Sequence, residues 1–316
     1  MQVRWKTWLK VAISAAVLVV LFLVLPWADV RASFSRLSIT VWAAVLGGFL
    51  VGHLVGAFKW WTMLTTMGVR FSLLEGIRCY AAGLFANLCL PGIVGGDVVR
   101  ASLATRRAGR VEAVVLGSLA DRGIDVAALA TVMGGGALFV GSQVSNTVVQ
   151  TGLWVLVAGL GGGALAVLVL FLLPLPARFG RLRRPVMRAR VALRRLMRRP
   201  ATAIVCFALA LAIQGGFVLL NSWIGHSIGV QVPLAAWFVA WPLAKLAGLL
   251  PISLGGLGVR DATLGALLVV FGAGAAEGVV TSLVWQTVLI GGGLLAGALW
   301  WALSPAGGRR LRGVTE

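Results

Sequence analysis

The stretch LPGIVGGDVVR occupies residues 90–100, and LPISLGGLGVR occupies residues 250–260. Both read L-P-x-x-x-G-G-x-x-x-R, and Pro251 follows Pro91 by 160 positions. Proline removes a backbone donor and stops a helix, and paired glycines open the backbone after it. Each motif therefore predicts a break between two helical arms. The spacing predicts that the break occurs once in each half of the chain.

The sequence around these breaks is apolar. Of 316 residues, 59% are hydrophobic and 12% charged, with a mean hydropathy of +0.97. A soluble domain carries about twice that share of charge, so the composition is that of a polytopic membrane protein. Forty-two glycines and thirteen tryptophans suit close helix packing and interfacial anchoring.

The net charge of +19 resembles that of a nucleic-acid binder, but its distribution argues otherwise. Ten arginines fall between Arg178 and Arg199 with no acid among them. Others flank apolar runs: Arg4, Lys6 and Lys10; Arg100 to Arg110; Arg309 to Arg312. Such clusters set orientation and meet anionic lipid, so the expected partners are anionic membrane lipids and a lipid substrate, with no nucleic acid. Three cysteines lack metal-ligand spacing, and only His53 and His226 are present. Neither a metal nor another cofactor is expected. The first apolar run has the outline of a signal peptide, but a counterpart in the second half favours a retained helix.

Spanning helices are predicted at about 8–27, 40–61, 111–140, 152–176, 201–223 and 279–303. Each is long enough for ~30 Å of hydrocarbon at about 1.5 Å per residue. Two further stretches, 72–90 and 233–250, run into the motifs. A shift of 160 carries 40–61 onto 200–221, 72–90 onto 232–250, and 111–140 onto 271–300, while 8–27 lands imperfectly on 152–176. That alignment predicts an internal repeat, about 1–145 and 146–305, within one membrane domain covering 1–316.

The positive-inside rule gives the repeat its hand. With a cytoplasmic N-terminus, helix two returns near Lys59, and Arg70 and Arg78 lie inside. The Arg100–Arg110 cluster must lie inside too, although one apolar stretch separates it from Arg78. That stretch enters and leaves by the same face. The same reasoning leads past the basic cytoplasmic loop 177–200 to a cytoplasmic C-terminus. The expected fold is all-α and polytopic, with two inverted-topology repeats. Each has three spanning helices and one re-entrant, broken helical hairpin, as in many secondary transporters. Loop 178–199, with Val186, Ala189, Leu193 and Leu196 at helical spacing, reads either as an amphipathic surface helix or as a plain basic anchor.

The chemistry is expected at the breaks. Past Pro91 and Pro251, Gly95 and Gly96, or Gly255, Gly256 and Gly258, leave backbone N–H groups open at the start of a second arm. Ser253 lies between. A helix N-terminus with arginine nearby, here Arg100 or Arg260, suits phosphate or carboxylate. The alternative is a turn that only packs the hairpin. Asp97 lies in the first break and Asp261 follows Arg260. Asp121, Arg122 and Asp125 sit inside an apolar helix, where charges either neutralise one another or line a polar path. Lys245, in an apolar arm, must meet an acid or face a cavity. Asn87 is expected to satisfy backbone groups freed by the break. These residues form the candidate binding set. No catalytic residue is assigned.

NLCLPGIVGGDVVR at 87–100, LLPISLGGLGVRDA at 249–262 and LADRG at 119–123 resemble the lysylphosphatidylglycerol synthase transmembrane-region family. This is the flippase-like membrane part of the bacterial multiple peptide resistance factor, also found alone. The family usually carries Glu after the second arginine, where this chain has Asp261. The resemblance covers nearly the whole chain. It implies lipid translocation across the cytoplasmic (inner) membrane of a bacterium. No synthase domain is read in the sequence, so lysyl-lipid synthesis is not expected. Alternatives are an intramembrane lipid-modifying enzyme using Asp97, Asp121 and Asp125, and an accessory subunit serving lipid-synthesis enzymes.

Overall fold

The computed structural model describes residues 27–89, 95–140, 187, 191, 194, 198–249 and 258–303. Within them lie nine helices: α1 Trp27–Arg36, α2 Ile39–Thr66, α3 Leu73–Cys89, α4 Gly95–Ala108, α5 Val111–Val140, α6 Pro200–Ile228, α7 Leu234–Leu249, α8 Val259–Val270 and α9 Ala275–Ala302. No strand occurs among the described residues. Four helices, α2, α5, α6 and α9, are long and apolar enough to cross a membrane. They match the spans expected at 40–61, 111–140, 201–223 and 279–303. The spans expected at 8–27 and 152–176 and nearly all of the basic loop lie outside the described residues, as do Pro91, Pro251, Ser253, Gly255 and Gly256. The protein is an all-α, multi-pass membrane protein.

Local chemistry sets the element ends. Ser38 caps α2, its hydroxyl accepting from Thr40 N–H at 3.2 Å. Ser72 and Glu75 form a reciprocal capping box that opens α3. Ser72 N–H reaches Glu75 Oε2 at 3.1 Å, and Glu75 N–H reaches Ser72 Oγ at 3.2 Å. α2 and α6 stop alike. Gly68 (φ 90°) and Gly229 (φ 116°) take the left-handed conformation open to glycine. Val69 N–H then returns to Leu64 O at 3.0 Å, and Val230 N–H to Gly225 O at 2.9 Å.

α1 was not anticipated as a separate element. It covers a more polar segment than the spanning helices. It packs on α9 and α6, and Arg36 Nη1 donates to Ile228 O at 3.2 Å, satisfying a carbonyl at the end of α6.

The four remaining helices have 17, 14, 16 and 12 residues. At about 1.5 Å per residue none reaches ~30 Å. They pack as two pairs, α3 on α4 and α7 on α8. Pro242 lies inside α7 and cannot donate to the carbonyl one turn back. The pairings between halves are reciprocal. α2 packs on α6, α3 lies against α9, and α7 lies against α5. The shift of 160 equates α2 with α6, α3 with α7, and α5 with α9.

The largest core cluster is aromatic at its centre. Phe49, Phe217, Trp241 and Trp285 join α2, α6, α7 and α9, with ring centroids 5.2–5.8 Å apart along the sequence Phe49–Phe217–Trp285–Trp241. In lipid, contacts of this kind rather than water exclusion hold helices together.

Candidate functional site

Beside that aromatic cluster a cavity of about 100 Å³ opens between α2, α3, α4, α5, α6 and α7. Its shape begins at the crossing of α3 and α4. Gly83 and Gly96 face each other so closely that a Cβ on Gly96 would collide with Gly83 O and with Asn87 Oδ1. Asn87 Oδ1 accepts the Gly96 N–H at 2.9 Å, satisfying a donor in the first turn of α4. Asn87 thus does what the break predicted, and it also lines the cavity.

The floor is ionic. Lys59 Nζ on α2 donates to Asp121 Oδ1 at 2.6 Å and to Asp125 Oδ1 at 2.7 Å. The two carboxylates are one helical turn apart on α5, so one ammonium reaches both. Arg100 Nη2 donates to the other oxygen of Asp121 at 3.3 Å. The Arg100 guanidinium also stacks 5.0 Å from the Trp60 ring and 5.1 Å from the Tyr80 ring. Arg100 Nε lies 3.0 Å from Asp97 Oδ1, close enough for an ion pair, yet its buried N–H makes no hydrogen bond.

The mouth is marked by Arg122, whose side chain is 46% exposed. It grips Asp97 with a two-pronged contact, Nη2 to Oδ1 at 2.5 Å and Nε to Oδ2 at 2.7 Å. On the opposite wall, Lys245 Nζ of α7 donates to Gln214 Oε1 at 2.8 Å and sits 5.8 Å from the Phe217 ring. His53 completes the wall, its Nδ1 3.3 Å from the Tyr80 hydroxyl. Among the described residues no three metal-ligating side chains converge.

Three expectations change. Lys59 was read as marking the inner surface. Its side chain is instead only 2% exposed, because α2 runs on to Thr66 and carries it inside the bundle. Arg122 does not neutralise Asp125 within α5; it reaches across to Asp97 of α4. Asp121 and Asp125 are balanced by Lys59 and Arg100, which lie on other helices.

The second motif is arranged differently. Arg260 and Asp261 are both buried and lie outside the described lining of the cavity. Arg260 Nη2 donates to Asp261 Oδ1 and to Gln286 Oε1, each at 2.9 Å, and Ser282 Oγ donates to the same Asp261 oxygen. Asp261 Oδ2 accepts from Gly258 N–H at 2.9 Å, so the shorter acid serves as the cap of α8. Gly258 (φ 81°) provides the turn into that helix. Arg260 is thus paired with the neighbouring acid and held by partners on its own and the next helix.

The site thus assembles Asn87, Gly96, Asp97, Arg100, Asp121, Arg122, Asp125 and Lys245 from the expected set, with Gly95 adjoining in the first turn of α4. It adds Lys59, His53, Tyr80, Gln214 and Phe217. The signal available for Lys59 was a lone cation within 28 apolar-rich residues. Tyr80 is the chain's one tyrosine, which carried no pattern.

No curated protein and no solved structure matches this chain. The family described as lysylphosphatidylglycerol synthase TM region matches residues 7–297, which includes every helix named above except the last residues of α9. The chain belongs to that family, and its function is a membrane-lipid-related one.

Proposed function

We propose that this protein is a lipid flippase of the cytoplasmic membrane, carrying a head group through the charged cavity without altering it. One observation carries the reading. Seven Asp, Lys and Arg side chains, Lys59, Asp97, Arg100, Asp121, Arg122, Asp125 and Lys245, line one cavity of a bundle that includes four helices apolar enough to cross a membrane. Charges at such depth are costly and mark pathways. A head group would ride in this polar space while its tails stay in hydrocarbon, so the barrier to be lowered is head-group desolvation.

The reading includes two inverted repeats, each with a re-entrant hairpin, and cytoplasmic termini. Supporting it are the short paired helices α3–α4 and α7–α8, the equal endings of α2 and α6, and the reciprocal packing of the halves. In transporters of this plan the site lies where broken helices of the two repeats meet. Here α3 and α4 supply one wall, and Lys245 of α7 supplies the facing one.

Reconstitution of the purified protein in liposomes with an acyl-labelled fluorescent phospholipid tests the reading. Added membrane-impermeant quencher should reach lipid of both leaflets in protein-containing vesicles and one leaflet in empty ones. Mass spectrometry should find the lipid unchanged. Metal-dependent conversion of the lipid would replace translocation with catalysis, and the absence of both would favour an accessory role.

A further inference from the structure

The charges of the cavity do not cancel. Among the described residues that line it, four cations, Lys59, Arg100, Arg122 and Lys245, face three carboxylates, Asp97, Asp121 and Asp125. Every carboxylate is already engaged: Asp97 by Arg122 and Arg100, Asp121 by Lys59 and Arg100, Asp125 by Lys59. A cationic head group would find no free acid there. Lys245 is the exception on the other side of the balance. Among the described residues it meets no carboxylate; its one hydrogen bond goes to the neutral Gln214. An ammonium in an apolar helix beside an aromatic ring needs a counter-charge. Arg100 lines the same cavity, but its Nε already lies 3.0 Å from Asp97 Oδ1.

Resting on the flippase reading, we infer that Lys245, held by Gln214, is the seat for the anionic phosphate of the transported lipid, and that it makes the site select net-negative head groups. A phosphodiester carries a single negative charge, which matches the single unbalanced cation. Its oxygens accept hydrogen bonds, which Lys245 Nζ can donate. Zwitterionic and cationic head groups bring an additional positive charge into a cavity whose acids are all occupied. They are disfavoured for the same reason that like charges repel in a low-dielectric space. Gln214 positions the lysine: its oxygen accepts one of the three ammonium protons and leaves the others for the ligand.

The test uses the full chain in lipid nanodiscs, with phosphatidylglycerol, phosphatidylcholine and an aminoacylated phosphatidylglycerol as probes, and soluble glycerol 3-phosphate as the tail-free one. Bound lipid is counted by native mass spectrometry. The wild type should prefer phosphatidylglycerol by roughly tenfold or more, the loss expected for one charge-assisted hydrogen bond. Lys245→Gln should abolish the preference, and Lys245→Arg should keep most of it. Gln214→Glu keeps the lysine but supplies the missing acid, so it should abolish the preference as Lys245→Gln does. This second variant decides the matter if Lys245→Gln does not fold. Glycerol 3-phosphate should compete only weakly. Equal competition would keep the phosphate seat but count against a lipid as its ligand. Preference for the aminoacylated lipid, or an unchanged preference in folded Gln214→Glu, would overturn the proposal. If the preference depends on Lys245 but no lipid crosses the bilayer, the flippase reading fails and the seat stands. If lipids cross without regard to Lys245, the reverse holds.

Discussion

Lys59 Nζ lies 2.6 Å from Asp121 Oδ1, and both side chains are 2% exposed. A lysine from α2 and an aspartate 62 positions later therefore share one buried contact, with Asp125 as a second acceptor at 2.7 Å. Removing the lysine strands Asp125 and leaves Asp121 only the longer 3.3 Å contact with Arg100, whereas removing Asp125 leaves the pair at the centre intact. Lys59→Met should therefore destabilise the protein most, by about 3–5 kcal/mol, the usual consequence of breaking a buried ion pair. Asp125→Asn should be milder than Asp121→Asn. Thermal unfolding of the detergent-solubilised variants measures the order, and equal melting of all three would mean that the cluster does not hold α2 to α5.

Arg122 and Arg100 should separate function from folding. Arg122 is half-exposed at the mouth, while Arg100 is buried between two aromatic rings. Arg122→Ala should melt near the wild-type temperature yet move lipid at least several-fold more slowly, and lysine should rescue it only in part because it lacks the planar fork. Arg100→Ala should lose both stability and transport. The liposome quenching assay and a melting curve on the same preparations check the split.

Arg260 should behave as a structural residue. Arg260→Ala leaves Asp261, fully buried, without its cation, and should cost about 3–5 kcal/mol. Changing Asp261→Asn in the same chain removes the stranded charge and should recover part of the loss. A double-mutant cycle on melting temperature reads this coupling. Full additivity would return Arg260 to the list of ligand-binding candidates.

Backbone proximity gives a further contrast within the glycines. Gly96→Ala places a Cβ against Gly83 O and Asn87, and backbone cannot step aside as a flexible side chain can. It should unseat α4 from α3 and abolish transport. Gly123→Ala, on the exposed side of α5 with nothing within 4 Å of the new atom, should be neutral or stabilising by about 0.5–1 kcal/mol. Expression, melting and transport of the two variants decide it.

Four spans and both pairs of arms were legible because hydropathy, Pro91 and Pro251, and the 160-residue spacing all act locally or by simple periodicity. The acids of the site were legible too, since an aspartate within an apolar helix stands out. What could not be read was who faces whom. Lys59 pairs with Asp121 only because α2 and α5 lie side by side, and Arg122 turns to Asp97 only because α4 folds back beneath it. The symmetry of the two motifs suggested equal roles for Arg100 and Arg260. Their surroundings have diverged: positions 160 beyond Lys59, Asp121 and Asp125 hold Leu219, Thr281 and Trp285, so the second arginine has no matching ionic floor.

Phe217 joins the polar cavity to an aromatic chain. Its ring lines the cavity, lies 5.8 Å from Trp285, and Trp285 continues at 5.2 Å to Trp241, whose ring stands 6.0 Å from Arg260 Cζ. This wall of rings runs from the polar cavity to the Arg260 cluster. A flippase must pass a head group without leaving a continuous water path, so the wall should be the seal. Phe217→Ala removes most of a buried ring and should lower stability by about 3–5 kcal/mol while joining the two polar regions. Phe217→Leu keeps the bulk of the volume and should cost less. Vesicles loaded with a pH-sensitive dye should show faster proton leak with Phe217→Ala than with wild type or Phe217→Leu. If the alanine variant is folded and as tight as wild type, the seal lies elsewhere along the pathway, and the aromatic cluster serves packing alone.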